Sequence, residues 1–164
     1  DAQSVSIVVT AASKGWNIAG LKCALIITQS DALHTMLAAM PPAVHWRSSI
    51  LGGFATAAAF SEGEPWLDEV LKALDHNRMM LRDLLTAKLP SVRYHIPQAT
   101  YLGWLDLEAL NLGGNPSERL LEKGKVAFNS GQSFGKQCSQ YVRINFATSP
   151  TILTDAIDRI AKVV

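Results

Sequence analysis

Cysteine is scarce in this sequence. Two occur among 164 residues, Cys23 and Cys138, and neither belongs to a CxxC pair. A disulfide framework would show more cysteines, and a zinc site needs about four closely spaced ligands. The four histidines show no ligand spacing either. These absences argue against a disulfide-stabilised fold and a metal site, and they predict two reduced thiols in a cytoplasmic protein.

A strong charge of one sign and a long apolar run are also lacking. The formal net charge is +1, which gives no electrostatic reason to expect nucleic acid or an anionic membrane as a partner. No stretch reaches the ~18 uninterrupted apolar residues of a membrane helix. The longest candidate, residues 50–60, is short and rich in Ala and Gly, and we expect a buried helix. Hydrophobic residues make up 48% of the chain, which is typical of a packed globular domain.

The first residues suggest a piece of a longer protein. The chain opens with Asp1-Ala2-Gln3, without an initiator Met, a signal peptide or a basic leader, and almost at once enters an apolar run. The two strands predicted near the start would need partners, because a two-stranded sheet is rarely stable alone. We therefore expect an N-terminal half that this chain does not contain.

The pattern of apolar residues divides the chain into two regions. The first, residues 1–62, contains two apolar strands and two helical segments, and the second, residues 63–164, opens with a long leucine-striped helix and continues as a small α+β layer. The elements predicted for the first region are strands 5–10 and 21–28, helix 32–40 capped by Asp31, and helix 44–60, broken or bent near Gly52-Gly53. Those predicted for the second are helices 65–89, 119–123 and 150–162, and strands 92–96, 101–107, 126–129 and 141–147.

Two lysines lie where a ligand can be bound. Lys14 follows the first predicted strand, and an amine at a strand end can reach the crevice where α/β folds bind ligands. Partial burial would favour the neutral amine, which forms a Schiff base with an aldehyde. Lys22 opens the second strand, and two adjacent antiparallel strands would place it in the same pocket, as a cation for a phosphate. The alternative for each is a solvated surface lysine.

Arg143 is a candidate carboxylate ligand. In the sequence YVRINF, strand alternation puts Tyr141, Arg143 and Asn145 on one face and the apolar residues on the other. An arginine fixed on a strand is a good bidentate clamp for a carboxylate. The alternative is an exposed arginine on an edge strand.

Three segments together resemble a known family. Residues 13–22, SKGWNIAGLK, resemble the cofactor-lysine segment of fold-type I pyridoxal-phosphate enzymes of the class I/II aminotransferase family. The match is to the branch of cystathionine β-lyases and related C–S lyases, in which SKxxNIAGL is typical. Residues 101–106, YLGWLD, resemble the TYLxWLD strand of that branch. Residues 131–135, GQSFG, followed by 141–146, YVRINF, resemble its C-terminal GxxFG…YxRxNFA segment. The three matches follow the family's order and span nearly the whole chain.

The resemblance assigns roles to single residues. It implies that Lys14 holds pyridoxal 5'-phosphate as a Schiff base and afterwards serves as general base and acid at the substrate's Cα. Lys22 stands where the family often has a basic residue near the cofactor phosphate, and Ser13 is a second candidate contact or shapes the turn. Arg143 would bind the α-carboxylate of an amino-acid substrate. Ala11 stands where many relatives carry a Ser that contacts the phosphate, so that contact is missing.

The resemblance also implies a fold and partners. Residues 1–62 would end a large α/β domain with a mostly parallel sheet, and residues 63–164 would form a linking helix and a small α+β C-terminal domain. The N-terminal half would supply the aromatic that stacks on the cofactor ring and the acid that pairs with its pyridine nitrogen. The expected partners are that half, an amino-acid substrate and a second copy in a homodimer. This chain alone is expected to be inactive.

Three functions remain possible on the sequence alone. A C–S lyase would eliminate the β-sulfur of an amino acid such as cystathionine, and an aminotransferase would return a proton to the cofactor carbon. Both reactions begin with Lys14 removing the Cα proton, and the resemblance favours the lyase. The third alternative is a non-catalytic interaction or regulatory module with the same fold. The presence of both Lys14 and Arg143 argues against that module.

Overall fold

A computed structural model describes residues 2–164, with Gln3 described by its backbone alone. Asp1, with which the predicted fragment opens, lies outside the described residues. The chain forms two compact units, Asp1–Val70 and Leu71–Val164, and the limit between them falls inside the long helix Glu64–Lys88. The domain boundary predicted at residues 62 and 63 stays a prediction.

The first unit is a two-stranded sheet followed by helices. Its strands are antiparallel, and Thr10 lies opposite Leu25. Both strands are shorter than predicted. The second starts later because Lys22, which ends a 3-10 turn, has a left-handed φ of 54°. A residue in that conformation cannot belong to a strand. The elements are β1 (Val8–Thr10), β2 (Leu25–Ile27), α1 (Asp31–Ala38), α2 (Pro42–His45) and α3 (Ile50–Glu62), with 3-10 turns at Ala2–Val5 and Ala19–Leu21.

Two serines, rather than the predicted residues, define the helix starts in this unit. The Ser30 hydroxyl accepts a hydrogen bond from Leu33 N at 3.4 Å, so Ser30 caps α1 and Asp31 is its first residue. Ser49 caps α3 in the same way. The predicted helix 44–60 is therefore interrupted at residues 46–49, and a break near Gly52-Gly53 is wrong because α3 continues through both glycines. A serine that accepts from the helix's own amides favours a new helix start at that point.

Little of the first unit is buried. Among its residues whose burial is described, the buried ones are small: Ala12, Gly52, Thr56 and Ala59. Large apolar side chains remain exposed on the strands and on α3, among them Val9, Ile50 and Phe54, at 70%, 76% and 70%. These residues form an apolar surface of the kind that proteins cover with another part of the fold or a partner.

The second unit contains a four-stranded antiparallel sheet in the order β3-β4-β6-β5. In register, Trp104 lies opposite Arg143, and Asn129 lies opposite Arg143 on the other side. The elements are α4 (Glu64–Lys88, which begins in the first unit), β3 (Arg93–Tyr94), β4 (Leu102–Asp106), α5 (Pro116–Arg119), a π-helical segment (Leu120–Gly124), β5 (Asn129–Ser130), β6 (Tyr141–Asn145) and α6 (Pro150–Ala161).

Leucines of α4 and apolar residues of α6 form the core of the second unit with the sheet. Its fully buried side chains include Leu81, Leu105, Val142, Phe146 and Ile157. The periodic leucines of α4 supply Leu81, and the alternation along residues 141–147 supplies Val142 and Phe146, as predicted. The core therefore supports β6 from one side and leaves its other side, which carries Arg143, for a site.

Two elements of the second unit differ from prediction. The helix predicted at 119–123, opened by residues 115–118, does begin there, because the Asn115 side chain accepts from Ser117 N and caps Pro116–Arg119. It differs in continuing as the π-helical segment. The strand predicted at 126–129 pairs only at Asn129–Ser130. The α/β class is confirmed. All strand pairs among residues 2–164 are antiparallel, and the mostly parallel sheet stays a prediction for the large domain.

A buried amide on α4 fixes the end of β6. The Asn77 side chain donates to the carbonyl oxygens of Phe146 and Thr148, at 2.9 and 2.7 Å. We expect Asn77→Ala to lower the free energy of unfolding by about 2–4 kcal/mol, because two carbonyls lose their donor in a closed site. Urea denaturation followed by circular dichroism measures this, with the exposed neighbour His76→Ala as control. Equal stability of the two variants would contradict the assignment.

None of the helices among residues 2–164 combines the length and apolar character that crossing a membrane requires.

Candidate active site

One loop carries three of the four predicted site residues. Ser13, Lys14 and Lys22 all lie on residues 11–24, which join β1 to β2. Because these strands are antiparallel, the loop begins and ends at the same end of the sheet. The predicted antiparallel pairing of the two strands is confirmed, whereas Lys22 belongs to the loop and not to the start of β2. That both lysines serve one pocket stays a prediction.

Backbone hydrogen bonds fix the turn around Lys14. Trp16 N donates to the Ala12 carbonyl at 3.0 Å, and Ile18 N donates to the Ser13 carbonyl at 3.1 Å. Asn17 between these donors has a left-handed φ of 55°, a conformation that asparagine tolerates better than most residues. Lys14 thus occupies the middle of a closed turn, and Ser13 contributes its carbonyl oxygen to that turn.

Lys14 is exposed in this structure, so the residues of this unit do not supply the partial burial that would favour its neutral amine. The physical reason is that β1 is itself exposed and that only the small Ala12 is buried nearby. Lys22 is exposed as well. Neither ammonium forms an ion pair with another described residue. Both amines are therefore available to a ligand.

Arg143 occupies an interior strand. β6 lies between β4 and β5, so the alternative of an exposed arginine on an edge strand is wrong. Val142, Ile144 and Phe146 are buried, whereas Arg143 is only partly buried. This confirms the predicted alternation, and it places the guanidinium on the face of β6 opposite to the core.

The Arg143 guanidinium is oriented but not satisfied. Its Nη2 donates to Oδ1 of Asn129 at 3.1 Å, and its central carbon lies 4.9 Å from the centroid of the Phe134 ring. Its Nε is buried and has no hydrogen-bond partner. A buried donor without an acceptor is costly. A carboxylate matches the fork of the guanidinium.

Aromatic packing supports this arginine. Trp104 stacks on Tyr141 with ring centroids 5.6 Å apart, and it meets Phe134 edge-on at 5.3 Å. A hydrogen bond from the Tyr141 hydroxyl to the Asp106 carboxylate raises the pKa of Tyr141, which keeps the phenol protonated as a donor. The ring that lies against Arg143 is therefore itself held by a second aromatic residue.

Sequence reasoning missed two partners of Arg143. Phe134 lies within the GQSFG segment that carries part of the family resemblance, so a signal was present, but its contact with the guanidinium depends on the folded loop. Asn129 carried no signal, because it lies in a strand whose extent was predicted incorrectly. Among the described residues, no three His, Cys, Asp or Glu side chains come together as metal ligands.

Three related proteins align with most of this chain. A 42% identical relative from Mycobacterium leprae, provisionally named a cystathionine β-lyase, covers 92% of this chain, which spans 40% of the relative. Cystathionine β-lyase of Corynebacterium glutamicum is 38% identical over 99% of this chain and 44% of its own length. A crystal structure from Corynebacterium diphtheriae, provisionally described as a PLP-dependent β-cystathionase, superposes with a TM-score of 0.93 and 40% identity, over 99% of this chain and 43% of that one.

The chain thus spans about two fifths of the length of these relatives. The family model for aminotransferase class I and II matches residues 1–160. That match covers both units, with Lys14 in the first and Arg143 in the second. The chain therefore belongs to the aminotransferase class I and II family.

Proposed function

We propose that this chain is part of a pyridoxal-phosphate-dependent C–S lyase that acts on a sulfur-containing amino acid such as cystathionine. The observation that carries the proposal is the Arg143 guanidinium, which Asn129 and Phe134 orient while its buried Nε lacks an acceptor. An α-carboxylate is the group that such a site fits best. The named relatives support the lyase reaction in particular.

The residues of the first unit fit the cofactor. Lys14 offers an exposed amine to the aldehyde, and Lys22 on the same loop offers a cation to the phosphate. The Ser13 hydroxyl would be a second contact for the phosphate or would shape the same turn. Bound pyridoxal phosphate supplies an electron sink for the negative charge that develops at the substrate's Cα.

Arg143 and Lys14 carry out the other steps of the proposed reaction. Arg143 binds the α-carboxylate and so orients the Cα–H bond. The free amine of Lys14 takes the Cα proton, acting as general base. The bond between Cβ and sulfur then breaks, and the sulfur leaves with the electron pair and gains a proton. In sum, cystathionine and water give a thiol amino acid, pyruvate and ammonia, and no oxidant or reductant is consumed.

The proposal includes the parts of the protein that complete the site. Residues 1–62 would belong to the large domain, and residues 63–164 would form the linking helix and the small domain. The rest of a full-length protein and a second copy in a homodimer would cover the apolar surface that includes Val9, Ile50 and Phe54. We place the enzyme in the cytoplasm and expect this chain alone to be a poor catalyst.

Transamination is the second candidate, because the family also contains aminotransferases, as its description states. It needs the same first step, removal of the Cα proton by Lys14. The two reactions diverge after that step, because transamination keeps the Cβ–S bond and transfers the amino group to a keto acid. A non-catalytic module would need neither the oriented Arg143 nor the unpaired Lys14.

Product analysis of the full-length protein separates these activities. We expect pyruvate and ammonia to form from cystathionine in the absence of any keto acid. An aminotransferase would instead form a keto acid only as an acceptor keto acid is consumed, and that result would overturn the lyase assignment. Absence of both reactions in protein loaded with pyridoxal phosphate would contradict the catalytic proposal as a whole. Protein with Lys14→Arg serves as the blank.

A further inference from the structure

We propose that Trp16 is a positioning residue for Lys14, and that it acts by tying the loop of the cofactor lysine to the C-terminal end of α3. The proposal rests on the role proposed for Lys14. Trp16 lies two residues beyond Lys14, and nothing in the motif alone says what its side chain does.

The indole of Trp16 is anchored at two points. Its Nε1–H donates to the carbonyl oxygen of Gly63 at 2.9 Å, a contact that joins residues 47 positions apart. Its ring meets Phe60 edge-on, with centroids 5.2 Å apart and an interplanar angle of 85°. Both partners belong to the last turn of α3 or to the residue just beyond it.

Glycine at position 63 is needed for space and not for its backbone conformation. Gly63 has φ −85° and ψ 0°, which any residue adopts. A Cβ there would lie 2.3 Å from Nε1 and 2.7 Å from Cδ1 of Trp16, and 2.5 Å from the Ala59 carbonyl oxygen. Any side chain at position 63 must therefore displace the indole and crowd the last turn of α3, and glycine at this position permits the Trp16 contact.

The other end of the same segment is held by the start of α3. A Cβ at Gly52 would lie 2.2 Å from the Leu21 carbonyl oxygen, and Ser49 N donates to the Lys22 carbonyl at 3.1 Å. Gly52 and Gly63 are about 16 Å apart along the helix. The loop therefore lies along α3 and is anchored at both ends, with Lys14 next to one anchor and Lys22 at the other.

The Trp16 anchor controls the turn that presents the Lys14 amine. The backbone amide of Trp16 closes that turn through the Ala12 carbonyl, so a shift of Trp16 moves the hydrogen bond that encloses Lys14. The Trp16 indole is thus the side-chain anchor that acts most directly on the direction of the lysine. Its role is to position the amine and not to touch the reacting atoms.

The test uses the full-length protein as apoenzyme, titrated with pyridoxal phosphate, reduced with borohydride and mapped by peptide mass spectrometry. Trp16→Phe keeps a ring against Phe60 but removes the donor to Gly63. We expect the adduct at Lys14 to fall by about 2- to 10-fold at limiting cofactor, the range for loss of one hydrogen bond. The exposed Lys136 is the internal reference for unspecific labelling.

A matched control and a second variant separate positioning from general destabilisation. Trp46 is 82% exposed, and Trp46→Phe makes the same chemical change without loss of labelling. Gly63→Ala breaks the same contact from the other side, so it should lower Lys14 labelling as well. The Gly63→Ala loss can be the larger of the two, because its Cβ also crowds the Ala59 carbonyl oxygen. The double variant Trp16→Phe/Gly63→Ala should lose no more than that larger single loss, because Gly63→Ala already removes the contact that Trp16→Phe removes. Circular dichroism at the labelling temperature verifies that each variant is folded.

Each outcome decides a different point. If the unmodified protein fails to label at Lys14, the proposed function fails, and the positioning role falls with it. If the unmodified protein labels at Lys14 and Trp16→Phe labels equally well, the positioning role is overturned and the proposed function stands. Equal losses in Trp16→Phe and Trp46→Phe, or additive losses in the double variant, would also overturn it.

Discussion

Lys14→Ala in the full-length protein is expected to slow cystathionine cleavage by at least about 10²–10⁴-fold, the usual contribution of general acid–base catalysis. Lys14→Arg should be as slow, although it keeps the positive charge. A guanidinium stays protonated and can neither take the Cα proton nor hold the cofactor covalently. The pair of variants therefore separates the chemistry of the amine from its charge.

Steady-state rates of pyruvate formation measure this effect. Lys136→Ala is the control, because Lys136 is exposed and lies in the second unit, on the loop beyond Phe134. It should leave the rate within about twofold, as exposed substitutions usually do. Retention of most of the activity by Lys14→Arg would show that another group removes the Cα proton.

Arg143→Ala is expected to lower kcat/KM for cystathionine by about 10²–10⁴-fold. Two charge-assisted hydrogen bonds to the carboxylate are lost, each contributing about 1.5–3 kcal/mol. Part of the loss should appear in kcat, because an unclamped carboxylate no longer fixes the Cα–H bond. Arg143→Lys should have a kcat/KM between those of the unmodified protein and Arg143→Ala, since an ammonium keeps the charge but not the fork of the guanidinium.

A substrate without the α-carboxylate makes this test specific. The unmodified protein should discriminate strongly between cystathionine and its decarboxylated analogue, and Arg143→Ala should lose most of that discrimination. Asn129→Ala, which removes the acceptor for Nη2, should have a smaller effect in the same direction. If the unmodified protein and Arg143→Ala discriminate equally between cystathionine and the analogue, a residue other than Arg143 binds the α-carboxylate.

Local patterns were sufficient to predict much of the second unit. Alternation in YVRINF placed Val142 and Ile144 in the core and Arg143 on the other face, because side chains on a strand alternate strictly. Ser149 and Pro150 marked the start of α6, as predicted. Both signals are contained within a few residues, and neither depends on the rest of the chain.

Contacts between distant residues were not predictable from pattern. The Asn77 amide bonds a carbonyl 69 residues away, and Trp16 bonds one 47 residues away. The sequence predicts only an ordinary helix end at Gly63, whereas in the structure this glycine leaves room for the indole of Trp16. Such contacts depend on how elements pack, and one sequence carries no record of that.

The exposure of Lys14 shows a second limit. A strand with the sequence VSIVVT predicts burial, yet Val8 and Val9 are exposed in a unit whose buried residues are small. The sequence pattern describes what the strand can pack against and not what covers it here. The exposure of Lys14 therefore could not be predicted from the residues of this unit. Its place just beyond the end of a strand could be predicted from them.

Covalent trapping of the cofactor tests the central claim most directly. The full-length protein is incubated with pyridoxal phosphate, reduced with borohydride and measured by denaturing intact mass and peptide mapping. We predict one phosphopyridoxyl group per chain, at Lys14. An unlabelled Lys14, or adducts scattered evenly over the lysines, would contradict that claim.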